Sequence, residues 1–305
     1  MIELNKIYCI DNLELMKQVE DNSLNLIYSD ILYNTGNTFK TKDNQIAYID
    51  KIGNTEDVNN FYEPRFKEMK RILKDTGTIL IQCYYRLSPY IQILLNKYFV
   101  FQDKIIWKKT ETGKGAKSLK ALSKDYDEIF YYTKTNKFTV NKIIKPHNVV
   151  SLKEFKYYDK DVKKYFKIVP LGMYSKISVD KMRENNEIYT TRTGKDYKKY
   201  FLTDMNETCL SNIWVDCHNL YNGENKEMNN YPTQKPKSLL ERIVYMFSNE
   251  GDLVADFFCG SGTTLVIAKE LDRQYIGCDI SEMVIKISEE RLNNNNTIYK
   301  NNKEW

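Results

Sequence analysis

The sequence contains no run of 18 uninterrupted apolar residues, and its N-terminus shows no basic stretch followed by an apolar one. We therefore expect neither a membrane-spanning helix nor a secretory signal peptide. None of the six cysteines forms a Cys-x-x-Cys pair, which favours free thiols in a cytoplasmic protein. A zinc site at Cys209, Cys217 and His218 is disfavoured because no fourth ligand is evident, so we expect no metal.

The composition excludes several classes of chain and leaves a globular protein. Hydrophobic residues make up 42% and charged residues 29% of the 305 residues, values that exclude collagen-like, mucin-like and wholly disordered chains. A chain of this length can bury a substantial core as one large α/β domain with an insertion, or as two smaller domains.

The net charge of +5 conceals an uneven distribution of charge along the chain. Residues 104–205 carry 24 basic and 12 acidic side chains, a net charge of +12, whereas residues 1–103 carry −2 and residues 206–305 carry −5. A basic segment of this kind indicates a surface that binds a polyanion. The alternative is a lysine-rich solvated surface.

Apolar strand-like runs alternate with segments of helical spacing in the two outer parts of the chain. The strand-like runs cover 24–28, 78–83, 253–258 and 274–279, and helical spacing covers 57–74, 237–247 and 262–271. This alternation predicts an α/β fold with a mostly parallel sheet and helices on both faces.

Two segments depart from the alternation. Residues 140–215 are rich in Lys, Tyr and Asn with weak periodicity, which predicts an inserted region with its own local structure. Residues 34–56 are polar and contain two glycines, and we predict a long loop that could close over a site.

A glycine-containing motif, Asp-Phe-Phe-Cys-Gly-Ser-Gly-Thr-Thr at 256–264, falls at a predicted strand-to-helix junction. Glycines there let the backbone approach a ligand, and the helix N-terminus offers free N–H groups. The dinucleotide fingerprint needs a third glycine, but Leu265 stands at that position. Asp279 ends the next predicted strand, where it could accept hydrogen bonds from both hydroxyls of a ribose.

Two further motifs are weak on their own. Asp30-Ile31-Leu32-Tyr33 ends another predicted strand, at the sheet edge where ligands bind in open α/β folds. Tyr-Pro-Thr-Gln-Lys-Pro at 231–236 holds Lys235 on a stiff segment where it could meet a ligand carboxylate. Ordinary strand-end and loop sequence are the alternatives.

The three motifs in this order resemble those of the β-class of amino-methylating DNA methyltransferases of the N6-adenine type. The resemblance implies a Rossmann-like methyltransferase sheet and S-adenosylmethionine as the cofactor. It divides the chain into a catalytic half at 1–139, a target-recognition insertion at 140–215 and a cofactor-binding half at 216–305.

The resemblance also implies roles for individual residues. Asp30 and the backbone carbonyl of Ile31 would accept the hydrogens of the target amino group, and Tyr33 would stack on the base, so that no histidine base is required. The implied cofactor-binding residues are Asp256, Phe258, Gly260, Ser261, Gly262, Thr263 and Asp279, with Lys235 near the cofactor's carboxylate. Asp11 is a further candidate, for the cofactor's adenine, with a turn residue as the alternative.

One departure from the family pattern concerns activity. The family's two prolines in the catalytic motif are replaced by Ile31 and Leu32, which removes the restriction of φ at both positions. A homologue that binds DNA without transferring methyl groups is therefore an alternative to an active enzyme.

The implied partner is double-stranded DNA, with the target base flipped out of the duplex. Asp30 favours adenine N6 as the target, whereas Ser29 keeps cytosine N4 open. An RNA or small-molecule methyltransferase is disfavoured by the ordered motifs and the basic insertion. Members of the family often form homodimers. A restriction-modification system with a companion restriction enzyme is the expected context, although the sequence itself shows neither the dimer nor this enzyme.

Overall fold

The computed structural model describes residues 2–109, 125–146, 153–202, 207–218, 220 and 231–294. Contacts between Cα atoms divide the chain into two units. The first contains residues 1–141 and 211–302, and the second contains residues 142–210.

The strands are numbered in chain order. They are β1 Lys6–Cys9, β2 Leu24–Asp30, β3 Asn37–Lys40, β4 Ile46–Asp50, β5 Leu73–Cys83, β6 Val100–Lys108, β7 Tyr126–Thr133, β8 Ile144–Pro146, β9 Tyr157–Asp159, β10 Lys164–Pro170, β11 Ile188–Thr190, β12 Asp196–Phe201, β13 Glu207–Cys209, β14 Ile213–Trp214, β15 Leu253–Asp256 and β16 Gln274–Asp279. The helices are α1 Asn12–Met16, α2 Thr55–Ile72, α3 Ser88–Asn96, α4 Lys176–Glu184, α5 Lys237–Phe247, α6 Thr263–Glu270 and α7 Glu282–Asn294.

Eight of the described strands form the sheet of the first unit, in the order β1-β16-β15-β2-β5-β7-β6-β14. Strands β1, β16, β15, β2 and β5 run parallel to one another, while β7 is antiparallel to both β5 and β6. The central strands are apolar nearly throughout because both faces of the sheet are covered.

Helix α2 shows how the sequence positions one of these covering layers. Asn54 accepts hydrogen bonds from the backbone of Asp57, whose carboxylate in turn accepts from the backbone of Asn54, so that the helix begins with a capping box. Its buried side chains recur at helical spacing and pack into the hydrophobic core beside β2 and β5; they include Val58, Tyr62, Phe66, Met69 and Ile72.

The order of the strands defines where a ligand site can form. From β2 the chain proceeds through α2 to β5 on one side, and from β15 it proceeds through α6 to β16 on the other. Neighbouring strands whose connections diverge leave a crevice at their carboxyl ends. Asp30 and Asp256 are the last residues of these two central strands.

The segment 34–56, predicted as a long loop, folds differently. Its strands β3 and β4 pair antiparallel as a hairpin, and its last two residues begin α2. The sequence pattern did not show Ile46–Asp50 as a strand because its buried residues, Ala47 and Asp50, do not alternate and the pairing register shifts between Phe39 and Lys40.

The second unit has its own small sheet, in the order β11-β12-β10-β9, with antiparallel pairing throughout. Phe155 and Phe166 are buried there, and Lys199 donates to the Asp159 carboxylate at 2.7 Å. Strands β8 and β13 form a separate antiparallel pair. In the described part of the chain, no helix combines the length and apolar character needed to cross a bilayer.

Candidate functional site

A cavity of about 550 Å³ lies at the carboxyl ends of the central strands of the first unit. It brings together nearly all the residues singled out from the sequence, and its lining includes Asp11, Asp30, Ile31, Tyr33, Lys235, Asp256, Phe258, Gly260, Ser261, Thr263 and Asp279. Residues from the first and last parts of the chain therefore share one site.

The glycine turn between β15 and α6 is shaped by two residues with positive φ. Gly260 has φ +48°, and a Cβ there would lie 3.1 Å from the ring of Tyr231. Gly262 has φ +71° and caps α6, and its Cβ would lie 2.9 Å from that of Ser288. Glycine is required at both positions because L side chains rarely adopt this conformation. Gly262 faces α7 and is not among the residues that line the cavity.

Hydrogen bonds hold the acidic strand ends of this half. Asp256 is buried and accepts from the hydroxyl of Thr264 at 2.6 Å and from the N–H of Phe258 at 3.1 Å. Burial raises the pKa of Asp256 to about 7, against the opposing effect of those two donors. Burial likewise raises the pKa of Asp279, which accepts from the N–H of Ser281 at 3.0 Å.

Asp11 caps helix α1 and is tied to helix α2. One oxygen accepts from the N–H of Leu13 at 2.8 Å, and the other accepts from Arg65 Nη2 at 2.8 Å. The guanidinium of Arg65 stacks 3.7 Å from the centroid of Phe61 and donates to Asn12 at 2.6 Å. Asp11 is thus a capping residue that also lines the cavity.

Asp30 lies in a chain of polar contacts that crosses the site. Its Oδ2 accepts from Lys235 Nζ, and its Oδ1 accepts from the Tyr33 hydroxyl at 2.8 Å. The same hydroxyl lies 3.1 Å from Oδ2 of Asp127, whose Oδ1 accepts from Lys109 at 2.6 Å. Two carboxylates and two ammonium groups are therefore linked through one tyrosine hydroxyl.

Burial shifts the titration of these groups. It raises the pKa of Asp30, as does the charge of Asp127, while Lys235 and the Tyr33 hydroxyl oppose the shift. Burial and the nearby carboxylates raise the pKa of Tyr33 well above its usual value. The Tyr33 hydroxyl consequently keeps its single proton at neutral pH.

The backbone after Asp30 is held by a carboxylate that the sequence reasoning missed. Asp50 Oδ1 accepts from the N–H groups of Tyr33 at 2.7 Å and Asn34 at 2.9 Å. Its Oδ2 accepts from the N–H of Thr35 at 3.0 Å and from the Thr35 hydroxyl at 2.5 Å. The Tyr62 hydroxyl also donates to the carbonyl of Leu32 at 2.8 Å.

These contacts bear on the two missing prolines. Three backbone N–H groups and one hydroxyl donate to one buried carboxylate and fix residues 33–35, which is the kind of restriction that proline would otherwise supply at 31 and 32. A signal for Asp50 exists in the sequence, since Ile46–Ile49 is an apolar run that stops at an aspartate, as β2 and β16 do.

The hairpin β3–β4 covers one side of the cavity. Phe39 stacks on Tyr48 with ring centroids 4.8 Å apart, and Tyr48 stacks on Tyr231 at 6.1 Å. The Tyr48 hydroxyl donates to Thr233 Oγ1 at 3.2 Å. The hairpin is thereby joined to the segment that carries Lys235.

The zinc alternative gains no support in the described residues, where no group of three or more His, Cys, Asp or Glu side chains could hold a metal ion. Cys217 is buried, and the side chain of Cys209 lies outside the described residues. The five described cysteines are free thiols.

The acidic residues at the strand ends, the glycine turn and the Asp30–Tyr33 motif meet in the crevice at the carboxyl ends of β2 and β15. This arrangement defines an S-adenosylmethionine-dependent methyltransferase. The N6_N4_Mtase family model, described as DNA methylase, matches residues 24–290. The chain belongs to this family. The predicted family and fold class are confirmed, and the family agrees with S-adenosylmethionine as the predicted cofactor.

Three curated relatives illustrate the family. Type II methyltransferase M.EcaI of Enterobacter cloacae is 30% identical over 88% of this chain and 64% of its own length. Type II methyltransferase M.HpaI of Haemophilus parainfluenzae is 29% identical over 94% of this chain and 74% of its own. DNA adenine methyltransferase YhdJ of Escherichia coli is 26% identical over 92% and 80%. The chain thus spans just under two thirds of M.EcaI.

Among solved structures, the M1.HpyAVI-SAM complex superposes with a TM-score of 0.55 at 19% identity, covering 94% of this chain and 98% of the other. At that identity the likeness concerns the fold alone.

Proposed function

We propose that this chain transfers a methyl group from S-adenosylmethionine to the exocyclic N6 of adenine in duplex DNA, as the modification enzyme of a restriction-modification system. The observation that carries the proposal is the meeting of Asp30 and Tyr33 with the glycine turn 256–264 in one cavity. The carboxylate of Asp30, which can activate an amine, thus lies in the same cavity as the glycine turn, which is suited to binding a nucleoside.

The cavity fits the cofactor in size and in chemistry. A volume of about 550 Å³ accommodates a ligand of this size. Asp279 would hold the ribose hydroxyls, Lys235 would pair with the carboxylate of the methionine part, and Asp11 would lie toward the adenine. Gly260 lines the cavity, and the absence of a Cβ there gives room to the ring of Tyr231. When bound, S-adenosylmethionine supplies a methyl group on a positively charged sulfur.

Asp30 and the carbonyl of Ile31 would orient the target amine by accepting its two hydrogens. The lone pair of an exocyclic amine is delocalised into the ring, so these contacts favour the pyramidal, nucleophilic form. The carboxylate also stabilises the positive charge that develops on nitrogen, and preorganised groups of this kind are worth roughly 3–4 kcal/mol. The proton that the nitrogen loses after methylation would pass to Asp30.

Tyr33 would provide the stacking surface for the flipped base. Its ring is held nearly parallel to that of Tyr84, with an interplanar angle of 9° and centroids 5.8 Å apart. The hydroxyl is anchored between two carboxylates, so the ring has a fixed orientation.

An active enzyme is favoured over a binder that has lost catalysis. Loss of preorganisation at Ile31 and Leu32 was the argument for inactivity. Asp50 and Tyr62 supply hydrogen bonds to the backbone of this loop, which restore that preorganisation by other means.

Adenine is favoured over cytosine as the target. Ser29 is fully buried within β2 and does not line the cavity, whereas Asp30 does. The amine therefore meets an aspartate, the arrangement that in this family accompanies adenine N6. The name of the relative YhdJ agrees with this assignment.

Duplex DNA would be held by the basic part of the chain, residues 104–205, with its net charge of +12. Residues 142–210, which fold as a separate unit, would carry target recognition. A cytoplasmic location follows from cellular DNA as the substrate. A companion restriction enzyme and a homodimer belong to the same proposal, by analogy with the family.

The test is to incubate the protein with methyl-labelled S-adenosylmethionine and unmethylated duplex DNA, digest the DNA, and identify the labelled nucleoside. We expect N6-methyladenine, with no label for Asp30→Ala. N4-methylcytosine would refute the target assignment. Absence of label on DNA by a protein that binds the cofactor would refute the activity.

A further inference from the structure

The hydroxyl of Tyr33 lies between two carboxylates that come from different strands, Asp30 of β2 and Asp127 of β7. It is 2.8 Å from Oδ1 of Asp30 and 3.1 Å from Oδ2 of Asp127. A tyrosine hydroxyl has one proton and can donate fully to only one of the two. The two carboxylates therefore compete for the same donor.

Asp127 is held in place by further contacts. Its side chain is 2% exposed, and it accepts from Lys109 at 2.6 Å and from Gln82 Nε2 at 3.0 Å. Gln82 is itself fixed by the Tyr28 hydroxyl, which donates to its Oε1 at 2.7 Å. Asp127 does not line the cavity, so it can act on a substrate only through another residue.

We propose that Asp127 is a positioning residue that competes with Asp30 for the proton of the Tyr33 hydroxyl and so keeps the Asp30 carboxylate free to accept a hydrogen bond from the target amine. This inference rests on the proposed function, in which Asp30 receives the amine.

Asp127 and the Tyr33 hydroxyl act on the pKa of Asp30 in opposite directions. The negative charge of Asp127 raises the pKa of Asp30, whereas donation from the Tyr33 hydroxyl lowers it. Without Asp127, the hydroxyl donates to Asp30 alone and weakens it as an acceptor. Without the hydroxyl, Asp30 loses a donor that favours its charged form.

The other groups that face Asp30 stay unchanged in such variants. They are Lys235, which lowers the pKa of Asp30, and the neutral or acidic groups Tyr28, Tyr62, Cys83, Tyr231 and Asp256, which lie on β2, α2, β5, the segment before α5 and β15. Lys109 faces Asp127 and would remain as an added positive charge in a variant that lacks this carboxylate.

The experiment follows the carboxyl carbon of Asp30 by NMR in protein labelled with ¹³C-aspartate, with Asp30→Asn to assign the resonance. We expect Asp127→Asn to lower the pKa of Asp30 by about one unit or more and Tyr33→Phe to raise it. The matched control is Glu128→Gln, which removes one negative charge from the next residue of β7, on the opposite face, where Glu128 pairs with Lys104 at 2.8 Å. It should leave the pKa of Asp30 within a few tenths of a unit.

Single-turnover methyl transfer at saturating DNA and cofactor provides the second measurement. The acidic limb of the rate against pH should move to lower pH in Asp127→Asn and to higher pH in Tyr33→Phe, with a lower plateau in both. A purely structural role would lower the plateau without moving the limb in opposite directions.

The outcomes separate this inference from the proposed function. Shifts of the same sign in the two variants, or no shift in either, would overturn the role of Asp127 even if the wild-type enzyme methylates adenine. The two variants could shift the pKa of Asp30 in opposite directions while the wild-type protein transfers no methyl group. That result would refute the proposed function and leave the competition for the proton intact. If Asp127→Asn fails to fold, Tyr33→Phe keeps the inference falsifiable, because a lowered or unchanged pKa of Asp30 in this variant would overturn the competition for the hydroxyl proton.

Discussion

Lys235 and Asp30 form an ion pair inside the cavity although 205 positions separate them in the sequence. Their side chains are only 14% and 21% exposed. One belongs to the segment before α5 and the other to the end of β2, so the pair joins the two halves of the site. Asp30, the carboxylate proposed to activate the amine, is thus paired with Lys235, the cation expected to bind the carboxylate of the cofactor.

This pair predicts how Lys235→Met affects ligand binding. Losing a charge-assisted contact should weaken S-adenosylmethionine by roughly 10-fold to 100-fold, corresponding to about 1.5–3 kcal/mol. Binding of 5′-methylthioadenosine, which lacks the amino-acid part, should change by less than about threefold. Isothermal titration with both ligands measures the difference. Lys237→Met is the control, because Lys237 pairs with Glu270 outside the cavity at 2.6 Å. Equal weakening of both ligands would contradict a contact with the carboxylate.

Asp30→Asn should separate binding from transfer. The amide keeps the shape of the side chain but loses the charge that stabilises the methylated nitrogen, so the rate of methyl transfer should fall by at least about 10²-fold. The affinity for S-adenosylmethionine should change far less than the rate, because Asp30 is not a predicted cofactor ligand and its loss of charge leaves Lys235 available to the cofactor's carboxylate. Rapid-quench transfer assays and equilibrium binding measure the two effects. A variant that transfers at near the wild-type rate would rule out Asp30 as the acceptor.

The sequence predicted the part of this site that depends on local pattern. An apolar run that stops at an aspartate identified the ends of β2 and β16, and the spacing of two glycines identified the turn before α6. The local pattern did not indicate that residues such as Asp127 lie near the site. Because β7 runs antiparallel to β5, the beginning of this strand, and not its end, lies at the functional edge. The pairing partner of a strand is a tertiary property that local periodicity does not contain.

The hairpin was missed for a related reason. Its first strand, Asn37–Lys40, is mostly polar, and the apolar run Ile46–Ile49 of its second strand is short and lies within a polar segment. It is held in place by the stack of Tyr48 on Tyr231 and by the contacts of Asp50, which link positions far apart in the sequence.

We predict that replacing Asp50 impairs catalysis but not cofactor binding. In Asp50→Asn, one oxygen is replaced by an amide group that faces N–H donors, so we expect a loss of about 2–3 kcal/mol in the free energy of unfolding. Methyl transfer should slow because the loop that carries Tyr33 is no longer fixed. Urea denaturation and single-turnover assays measure these effects. Asp43→Asn, an exposed carboxylate in the turn of the same hairpin, is the control and should change neither.

Asp256 predicts a pH dependence of stability. Its folded pKa of about 7 exceeds the ordinary value of 3.8, so the folded protein binds the proton more tightly than the unfolded chain does. The contribution of this group to the free energy of unfolding should therefore fall as the pH rises from about 4 to 7, by roughly 3–4 kcal/mol at most. Asp256→Asn should remove that slope. Urea denaturation of both proteins between pH 4.5 and 8 gives the comparison, and parallel curves would contradict the shift.

Arg291 lies in α7, one residue beyond the region that the family model matches. We predict that its side chain supports the glycine turn. Its Nη1 donates to the carbonyl of Ser261 at 2.5 Å and to the hydroxyls of Ser261 and Thr263 at 3.1 and 2.9 Å. Arg291→Met should weaken S-adenosylmethionine about 5-fold to 10-fold, because the turn loses a charged donor worth about 1–1.5 kcal/mol.

A second contact between the same helices supplies the control for Arg291. Lys269 of α6 donates to the carbonyl of Leu292 at 2.8 Å without touching the turn. Lys269→Met should lower the free energy of unfolding by a similar amount yet leave the dissociation constant of the cofactor unchanged. If both variants weaken the cofactor equally, the effect comes from the packing of α7 and not from the support of Ser261 and Thr263 by Arg291.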